Sequence, residues 1–225
     1  MNYIWKWVKR KMARIRDEVL DYTPKSVVNG VLVNKLNIKD SEELERVERE
    51  ITALKLAKLY LNPGKQTFDV EHYLSIHKFL FEDIYDFAGE IRDEVIAKQI
   101  PFCLPQFIYD NLNQTLRDAQ KNISKITDRT KLVQFLAVLY SDLDITHPFR
   151  EGNGRVEREF LRQYVIEICK RNNLEEYVLD YSLIEDKEAF IQAVIVADAA
   201  CNTTYLEQFI DKILVSAQKN KKHPR

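Results

Sequence analysis

A histidine, a glutamate, two glycines and two arginines occur together in the stretch HPFREGNGRVER, residues 147–158. The whole chain has only five glycines and four histidines. Glycine costs backbone entropy on folding and is favoured where the backbone bends tightly or approaches a ligand closely. The crowding of these residue types therefore points to a site.

The glycine-rich part of this stretch has the properties of an anion-binding loop. Backbone N–H groups of Gly152, Asn153 and Gly154 can form a nest, and a helix that begins near Gly154 or Arg155 adds positive potential at its N-terminus. Arg155 and Arg158 are three positions apart, which places both on one side of that helix. Two arginines beside a nest suit a polyphosphate better than a single carboxylate.

Two further side chains complete a possible reaction centre. Glu151 would repel an anion unless a cation lies between them, and Mg²⁺ favours one or two carboxylates together with phosphate oxygens. His147 has an ordinary pKa near neutrality, which makes it the natural general base. Phe149 is interpreted as a buried anchor for the loop.

Each feature also has a purely structural interpretation. A lone histidine at a helix end, a Gly-Asn-Gly turn and a pair of surface arginines are all common without a ligand. Because they occur within one short stretch and supply complementary roles for phosphoryl-group chemistry, the functional interpretation is favoured.

The composition is that of a globular protein. The 225 residues suit one domain or one domain with an appendage, and 45% are apolar. A net charge of −1 gives no support to nucleic acid as a direct ligand. The three scattered cysteines fit a reducing compartment. No apolar run approaches the roughly 20 residues of a membrane span, and no signal core is visible, so we expect a cytoplasmic chain or an effector secreted without a signal peptide.

Apolar periodicity predicts a mostly α-helical chain that would position this site. In the first helix Ser41 is the expected cap, with Leu44, Val47, Ile51 and Leu54 on the buried face. Residues 90–105 lack helical periodicity and favour a short hairpin or extended loop. The basic segment 1–24 is either an amphipathic helix for an acidic surface or partner, or a packing arm. Helices are predicted at 41–61, 69–89, 105–124, 128–145, from about 155, 185–201 and 204–217.

The stretch HPFREGNGRVER resembles the signature His-x-Phe-x-Asp/Glu-Gly-Asn-Gly/Lys-Arg-x-x-Arg of Fic-domain proteins, and every specified position is met. Residues 34–59, 81–93 and 100–108 are also similar to segments of that family. The resemblance implies a mostly α Fic fold, a helical bundle with a short β-hairpin flap next to the active-site loop. It divides the chain into a basic N-terminal extension (1–30), a Fic domain (31–212) and a polar basic tail (213–225).

The resemblance further implies transfer of AMP from ATP to a Tyr, Ser or Thr hydroxyl of a target protein. His147 would deprotonate the hydroxyl, Glu151 would hold Mg²⁺, and Gly152, Asn153 and Gly154 would form the anion hole. Arg155 would contact the β-phosphate region and Arg158 the γ-phosphate.

The predicted flap spans approximately residues 91–100. An exposed hairpin edge can pair with an extended target segment, which would lay the target hydroxyl beside the histidine. Pro101 and Phe102 are expected to pack beneath the flap. The residues assigned to target docking are Val95, Ile96, Ala97 and Lys98.

Other activities remain open at this stage. Some relatives transfer phosphate, UMP or phosphocholine, and some remove AMP; Gly152 and Gly154 favour AMP transfer. A catalytically silent protein-binding module is the alternative from another class.

Control of the activity is the last expectation. Many family members carry an inhibitory helix with Ser/Thr-x-x-x-Glu-Gly/Asn, whose glutamate pairs with the second arginine of the signature. Glu45 and Glu207 have the spacing but are followed by Arg46 and Gln208. The resemblance therefore favours a toxin or effector that is restrained by a separate small antitoxin supplying the glutamate, with a diverged internal helix as the alternative.

Overall fold

The computed structural model describes residues 25–220 of the chain. The basic segment 1–24, for which two interpretations were open, lies outside the described residues. Within residues 25–220 no helix has the length and apolar character needed to cross a membrane.

Helices form most of the described chain, as predicted. Two small two-stranded antiparallel sheets accompany them: β1 (Val27–Val28) pairs with β2 (Val31–Leu32), and β3 (Tyr177–Leu179) pairs with β4 (Leu214–Ser216). The helices are α1 (Ser41–Leu61), α2 (Val70–Phe81), α3 (Pro105–Asn122), α4 (Arg129–Thr146), α5 (Asn153–Arg171), α6 (Lys187–Ala200), α7 (Thr204–Ile213) and α8 (Ala217–Asn220).

The core lies between α4, α5 and the helices packed around them. On α5, Val156, Phe160 and Tyr164 are fully buried at helical spacing, as the periodicity predicts. The predicted active-site loop, residues 147–152, joins the end of α4 to the start of α5. Its position is therefore set by two core helices whose burial gives them little freedom to move.

The first helix is capped and oriented differently from the prediction. Asp40, not Ser41, caps α1, because its backbone is extended and its side chain accepts the Glu43 N–H at 2.8 Å. Leu54, predicted to be buried, is 68% exposed. Leu44 is buried as predicted, but the face continues through the polar residues Glu48, Thr52 and Lys55 to Leu59. These polar side chains have partners inside the protein, which apolar periodicity does not detect.

Two predicted helices are too long. α2 ends at Phe81 instead of 89, because the turns that follow bury Ile84 and Tyr85 in the core. The helix predicted at 204–217 ends at Ile213, and residues 214–216 form β4 because β3 offers them a ladder partner. The division into three segments stays a prediction, although β4 falls within the segment assigned to the tail.

The flap segment is mostly irregular. Its antiparallel character is confined to one isolated bridge between Ala97 and Pro101, reinforced by the Phe102 N–H donating to the Ile96 carbonyl at 3.3 Å. The segment returns to the core through the Cys103 N–H, which donates to the Ile145 carbonyl on α4 at 2.9 Å.

Candidate active site

His147 is held as a neutral base at the end of α4. Its backbone is left-handed (φ 43°, ψ 61°) and its N–H donates to the Leu143 carbonyl. Nδ1 lies 3.1 Å from the Asp144 carbonyl oxygen, which can only accept, so Nδ1 carries the proton and Nε2 keeps its lone pair. Burial, with the nearby Lys98 charge, lowers the pKa of His147 to about 3. The ring is therefore uncharged at neutral pH.

Phe102 supports the imidazole of His147 from beneath the flap. The two rings are stacked, with centroids 3.7 Å apart and planes inclined by 12°. Phe102 is buried, as the sequence predicts for a residue under the flap. The stack restricts rotation of the imidazole and excludes water from one face.

The glycine-rich loop closes on itself before α5 begins. The Phe149 N–H donates to Asn153 Oδ1 and Asn153 Nδ2 donates to the Phe149 carbonyl, both at 2.8 Å. Gly152 is left-handed (φ 82°), and a Cβ there would lie 2.2 Å from Phe81 Cζ. Glycine is therefore required at this position both by conformation and by space. Asn153 shapes the loop with its side chain, a role that the anion-hole assignment did not include.

The two signature arginines have different surroundings. Arg155 forms ion pairs with Glu48 and, at 3.4 Å, with Glu151. Within residues 25–220 Arg158 forms no ion pair; its guanidinium lies 5.8 Å from the centroid of the Tyr181 ring. Arg158 is thus the arginine whose charge is available to a ligand.

Glu48 is a site residue that the sequence analysis missed. It is 5% exposed, accepts a hydrogen bond from the Tyr85 hydroxyl and forms the ion pair with Arg155. Thr52, one turn further along α1, receives a second Arg155 hydrogen bond at 3.3 Å. The available signal was the i, i+4 spacing of Glu48 and Thr52 within a face that starts at Leu44.

His77 fixes the backbone of the acidic residue in the loop. The Gly89 N–H donates to His77 Nδ1 at 2.7 Å, so Nε2 carries the proton and donates to the Glu151 carbonyl at 3.1 Å. The ring also stacks on Phe149, with centroids 3.8 Å apart. Burial lowers the pKa of His77 to about 4, so this arrangement persists at neutral pH.

All the predicted site residues line one cavity of about 510 Å³ between the flap and the loop. Phe102 and Arg150 complete its wall. The structure therefore brings the predicted flap residues and the residues of the 147–158 stretch together, although their roles stay predictions. The lining residues predicted from sequence are Val95, Ile96, Ala97, Lys98, His147, Glu151, Gly152, Asn153, Gly154, Arg155 and Arg158.

A second cavity of about 530 Å³ adjoins the first and shares Lys98, Phe102, His147, Gly154 and Arg158 with it. Its remaining wall is largely apolar and comes mainly from α6 and the turn before it, with further residues from α4 and the end of the flap. Because these parts are distant in the chain, local sequence patterns did not reveal the cavity. Those walls include Tyr181, Ile184, Phe190, Ile191 and Val194.

Glu151 is suited to bind a metal ion that enters the site together with a phosphate-containing ligand. Its carboxylate lines the first cavity, and its Oε1 accepts the Gly152 N–H at 2.8 Å. Within residues 25–220 no group of three or more His, Cys, Asp or Glu side chains could hold a metal ion by itself. One hard carboxylate beside an anion loop fits Mg²⁺, which takes its other ligands from phosphates and water.

Comparison with known proteins gives a consistent assignment. The model of the Fic/DOC family matches residues 67–165. The Escherichia coli (strain K12) protein named "Probable protein adenylyltransferase Fic" is 31% identical over 189 residues, which cover 83% of this chain and 89% of that protein. Protein adenylyltransferase VbhT of Bartonella schoenbuchensis is 33% identical over 168 residues, 71% of this chain and 32% of that protein.

Solved structures match the fold. The BepC protein of Bartonella tribocorum, with bound AMPPNP, has a TM-score of 0.70 at 21% identity and covers 85% of this chain and 96% of that chain. The N-terminal Fic domain of a Bep effector from Bartonella quintana, with bound ADP, has a TM-score of 0.72 at 24% identity over 91% of this chain and 99% of that chain. At this level of identity the likeness establishes the architecture, and it confirms the predicted fold class.

Proposed function

The chain belongs to the Fic/DOC family, and on that premise we propose that it transfers AMP from ATP to a side-chain hydroxyl of a target protein. The observation that carries the proposal is one cavity in which an uncharged histidine, a glycine-rich loop at a helix N-terminus and Arg158, which has no ion pair among residues 25–220, face the flap. A base and a phosphate-binding loop within one cavity are the parts that nucleotidyl transfer requires.

ATP would occupy both cavities. The phosphates would lie over the loop and the N-terminus of α5, with Arg158 at the terminal phosphate and Arg155 nearer the loop. The shared wall formed by Lys98, Phe102 and Gly154 leads into the second cavity, whose apolar surface suits a purine base. The base would then be held by Ile184 and its neighbours, whereas the loop and arginines read only the phosphates.

In the reaction, the target hydroxyl oxygen would attack the α-phosphorus while His147 Nε2 takes the hydroxyl proton. The bond from the α-phosphorus to the bridging oxygen breaks, and pyrophosphate leaves with that electron pair. Arg158 and the loop N–H groups would stabilise the charge that develops on the leaving group.

Mg²⁺, held by Glu151, would neutralise phosphate charge when bound. The residues of this chain do the remaining work: His77 holds the Glu151 backbone, and Phe102 keeps the His147 ring in place. Magnesium as the resident cation is part of the proposal.

The flap would present the target. Residues Val95–Lys98 line the cavity beside His147, so an extended target segment that pairs along this edge would bring its hydroxyl to the base.

The test uses the purified chain, ATP labelled on the α-phosphate and a lysate as the source of targets. His147→Ala should keep ATP binding and lose about 10²–10⁴-fold in transfer rate. His72→Gln is the control, because His72 is also buried but bonds to Gln163 on α5 instead of lining the cavity. Transfer by His147→Ala at a near wild-type rate would overturn the mechanism.

The same assay, repeated with the label at other positions and with a modified target, separates the alternatives. Label from the γ-phosphate on the target would indicate phosphate transfer, loss of AMP from a modified target would indicate removal, and no label from any nucleotide would indicate a binding module.

A separate small antitoxin that supplies a glutamate to Arg158 remains a proposal, supported by the absence of an ion pair at Arg158 within residues 25–220. The cytoplasmic location remains a prediction.

A further inference from the structure

Arg92 is a buried arginine, 5% exposed, at the start of the flap segment. Its Nε donates to the His147 carbonyl at 2.7 Å, its Nη1 to the Glu94 carbonyl at 2.6 Å and its Nη2 to the Cys103 carbonyl at 2.6 Å. Its backbone N–H donates to the Pro148 carbonyl at 2.9 Å. One side chain thus contacts the active-site loop and both ends of the flap.

The chemistry of the guanidinium makes these contacts a rigid connection. Its donors lie in one plane at fixed angles, so three carbonyls that bond to it are fixed relative to one another. Within residues 25–220 Arg92 forms no ion pair. Burial lowers the pKa of Arg92 to about 10, which still leaves the guanidinium charged at neutral pH.

His147, whose carbonyl accepts a hydrogen bond from Arg92, has an energetically unfavourable backbone conformation. A non-glycine residue in the left-handed region costs about 1–3 kcal/mol and persists only where the surrounding contacts determine it. His147 has φ 43° and ψ 61°. Arg92 bonds to the carbonyl of His147 and to that of the next residue, and so supplies two of the contacts that maintain this backbone.

We propose that Arg92 is a positioning residue for AMP transfer, which sets the separation between the target-docking edge Val95–Lys98 and Nε2 of His147. This inference rests on the proposed function. The flap edge would hold the target hydroxyl, and His147 would take its proton, so their separation decides whether the reacting atoms meet. A misplacement of about 1 Å can cost about 10²-fold in rate.

The flap has a second support that does not involve Arg92. The Glu94 carboxylate accepts hydrogen bonds from the Ser26 N–H and hydroxyl at 3.0 and 2.8 Å, and forms an ion pair with Arg150 at 3.0 Å. A change at Arg92 therefore leaves the flap attached through Glu94. We expect the variant to shift the flap edge relative to His147 without detaching the flap from the rest of the protein.

The test compares Arg92→Lys with Arg129→Lys. Arg129, at the other end of α4, also donates to two backbone carbonyls, those of Asp211 and Leu214, but lies outside the cavity. The measurements are kcat and KM for transfer to a target, the Kd for ATP and the thermal midpoint. Arg92→Lys should lower kcat by about 10²-fold and leave the Kd for ATP within about threefold, because the phosphate loop is intact. Arg129→Lys should lower the thermal midpoint without this fall in kcat.

In the kinetic measurements, the proposal would be overturned by wild-type kcat in Arg92→Lys, or by a loss of kcat matched by an equal loss of ATP affinity. A readout independent of transfer is the NMR signal of the His147 ring nitrogens and of the amides of Ile96 and Ala97. These signals should shift in Arg92→Lys and not in Arg129→Lys. If the wild-type chain transfers no AMP, the proposed function fails, whereas unshifted signals in Arg92→Lys would refute the positioning role by itself.

Discussion

The carboxylate of Glu48 forms an ion pair with the guanidinium of Arg155, although the two residues are 107 positions apart in the chain. The same carboxylate accepts the Tyr85 hydroxyl. Burial, and next the hydrogen-bonded Glu48 carboxylate, raise the pKa of Tyr85, so the phenol stays protonated and keeps donating. Helix α1 is thereby joined to the active-site loop through buried charge.

Removing that carboxylate should be costly. Glu48→Ala leaves Arg155 and Tyr85 without their buried acceptor, and breaking a buried ion pair costs about 3–5 kcal/mol. Urea unfolding measures the change. Glu45→Ala, which removes an exposed glutamate that is paired with Arg49 on the same helix, should change the free energy of unfolding by less than about 1 kcal/mol. Equal effects of the two variants would contradict the assigned role of Glu48.

Glu151 should couple ATP binding to magnesium. Glu151→Gln keeps the size of the side chain and removes its charge, so the gain in ATP affinity on adding Mg²⁺ should shrink about tenfold or more. Binding measured by calorimetry with Mg²⁺ and with a chelator gives both values. The affinity without metal should not fall. A variant that retains the full magnesium effect would exclude Glu151 as the metal ligand.

Protonation of His147 should weaken the fold in acid. Its pKa is about 3 in the folded chain, against an ordinary value of 6.5, so below pH 6.5 the unfolded chain binds a proton that the folded chain does not. The stabilisation is present above pH 6.5 and is lost as pH falls toward 3. By pH 5 the loss amounts to about 2 kcal/mol for this histidine. The drop in unfolding free energy between pH 7 and pH 5 should therefore be about 2 kcal/mol smaller in His147→Ala than in wild type.

Gly152→Ala should disturb the phosphate loop. The new Cβ would meet the Phe81 ring at 2.2 Å, and overpacking of this kind costs about 1–3 kcal/mol. Because the loop must move, we expect the Kd for ATP to rise about tenfold or more. Gly30→Ala is the matched control: it has a similar φ of 80° with nothing within 4 Å of the added Cβ. Unchanged ATP binding in Gly152→Ala would argue against the loop as the phosphate site.

The purified chain should be active without relief of an internal inhibitor. Glu45 is paired with Arg49, and Glu207 accepts a hydrogen bond from the Thr203 hydroxyl at 2.7 Å. We therefore expect Glu45→Gly and Glu207→Gly to leave auto-modification and target modification within about twofold of wild type, measured with labelled ATP. A large rise in either variant would show that restraint is internal and remove the case for a separate inhibitor.

The sequence alone was enough to predict which residues line the candidate site, because they are adjacent in the chain. His147, Glu151, the glycine-rich loop and both arginines lie within one stretch, and a loop followed by a helix orients them by local geometry. The periodicity of α4 and α5 was also readable, since local burial patterns repeat with the helical period.

Tertiary structure decided what those residues meet. Glu48, Arg92 and the wall around Ile184 come from distant parts of the chain, and neither a buried charge nor a carbonyl-bound arginine produces a periodic signal. The same reason accounts for the wrong predictions. Polar residues of α1 face inward because Glu48 pairs with Arg155, and residues 214–216 form a strand because they hydrogen-bond to β3. Partners brought together by folding set these features, and a local pattern carries no information about a partner far along the chain.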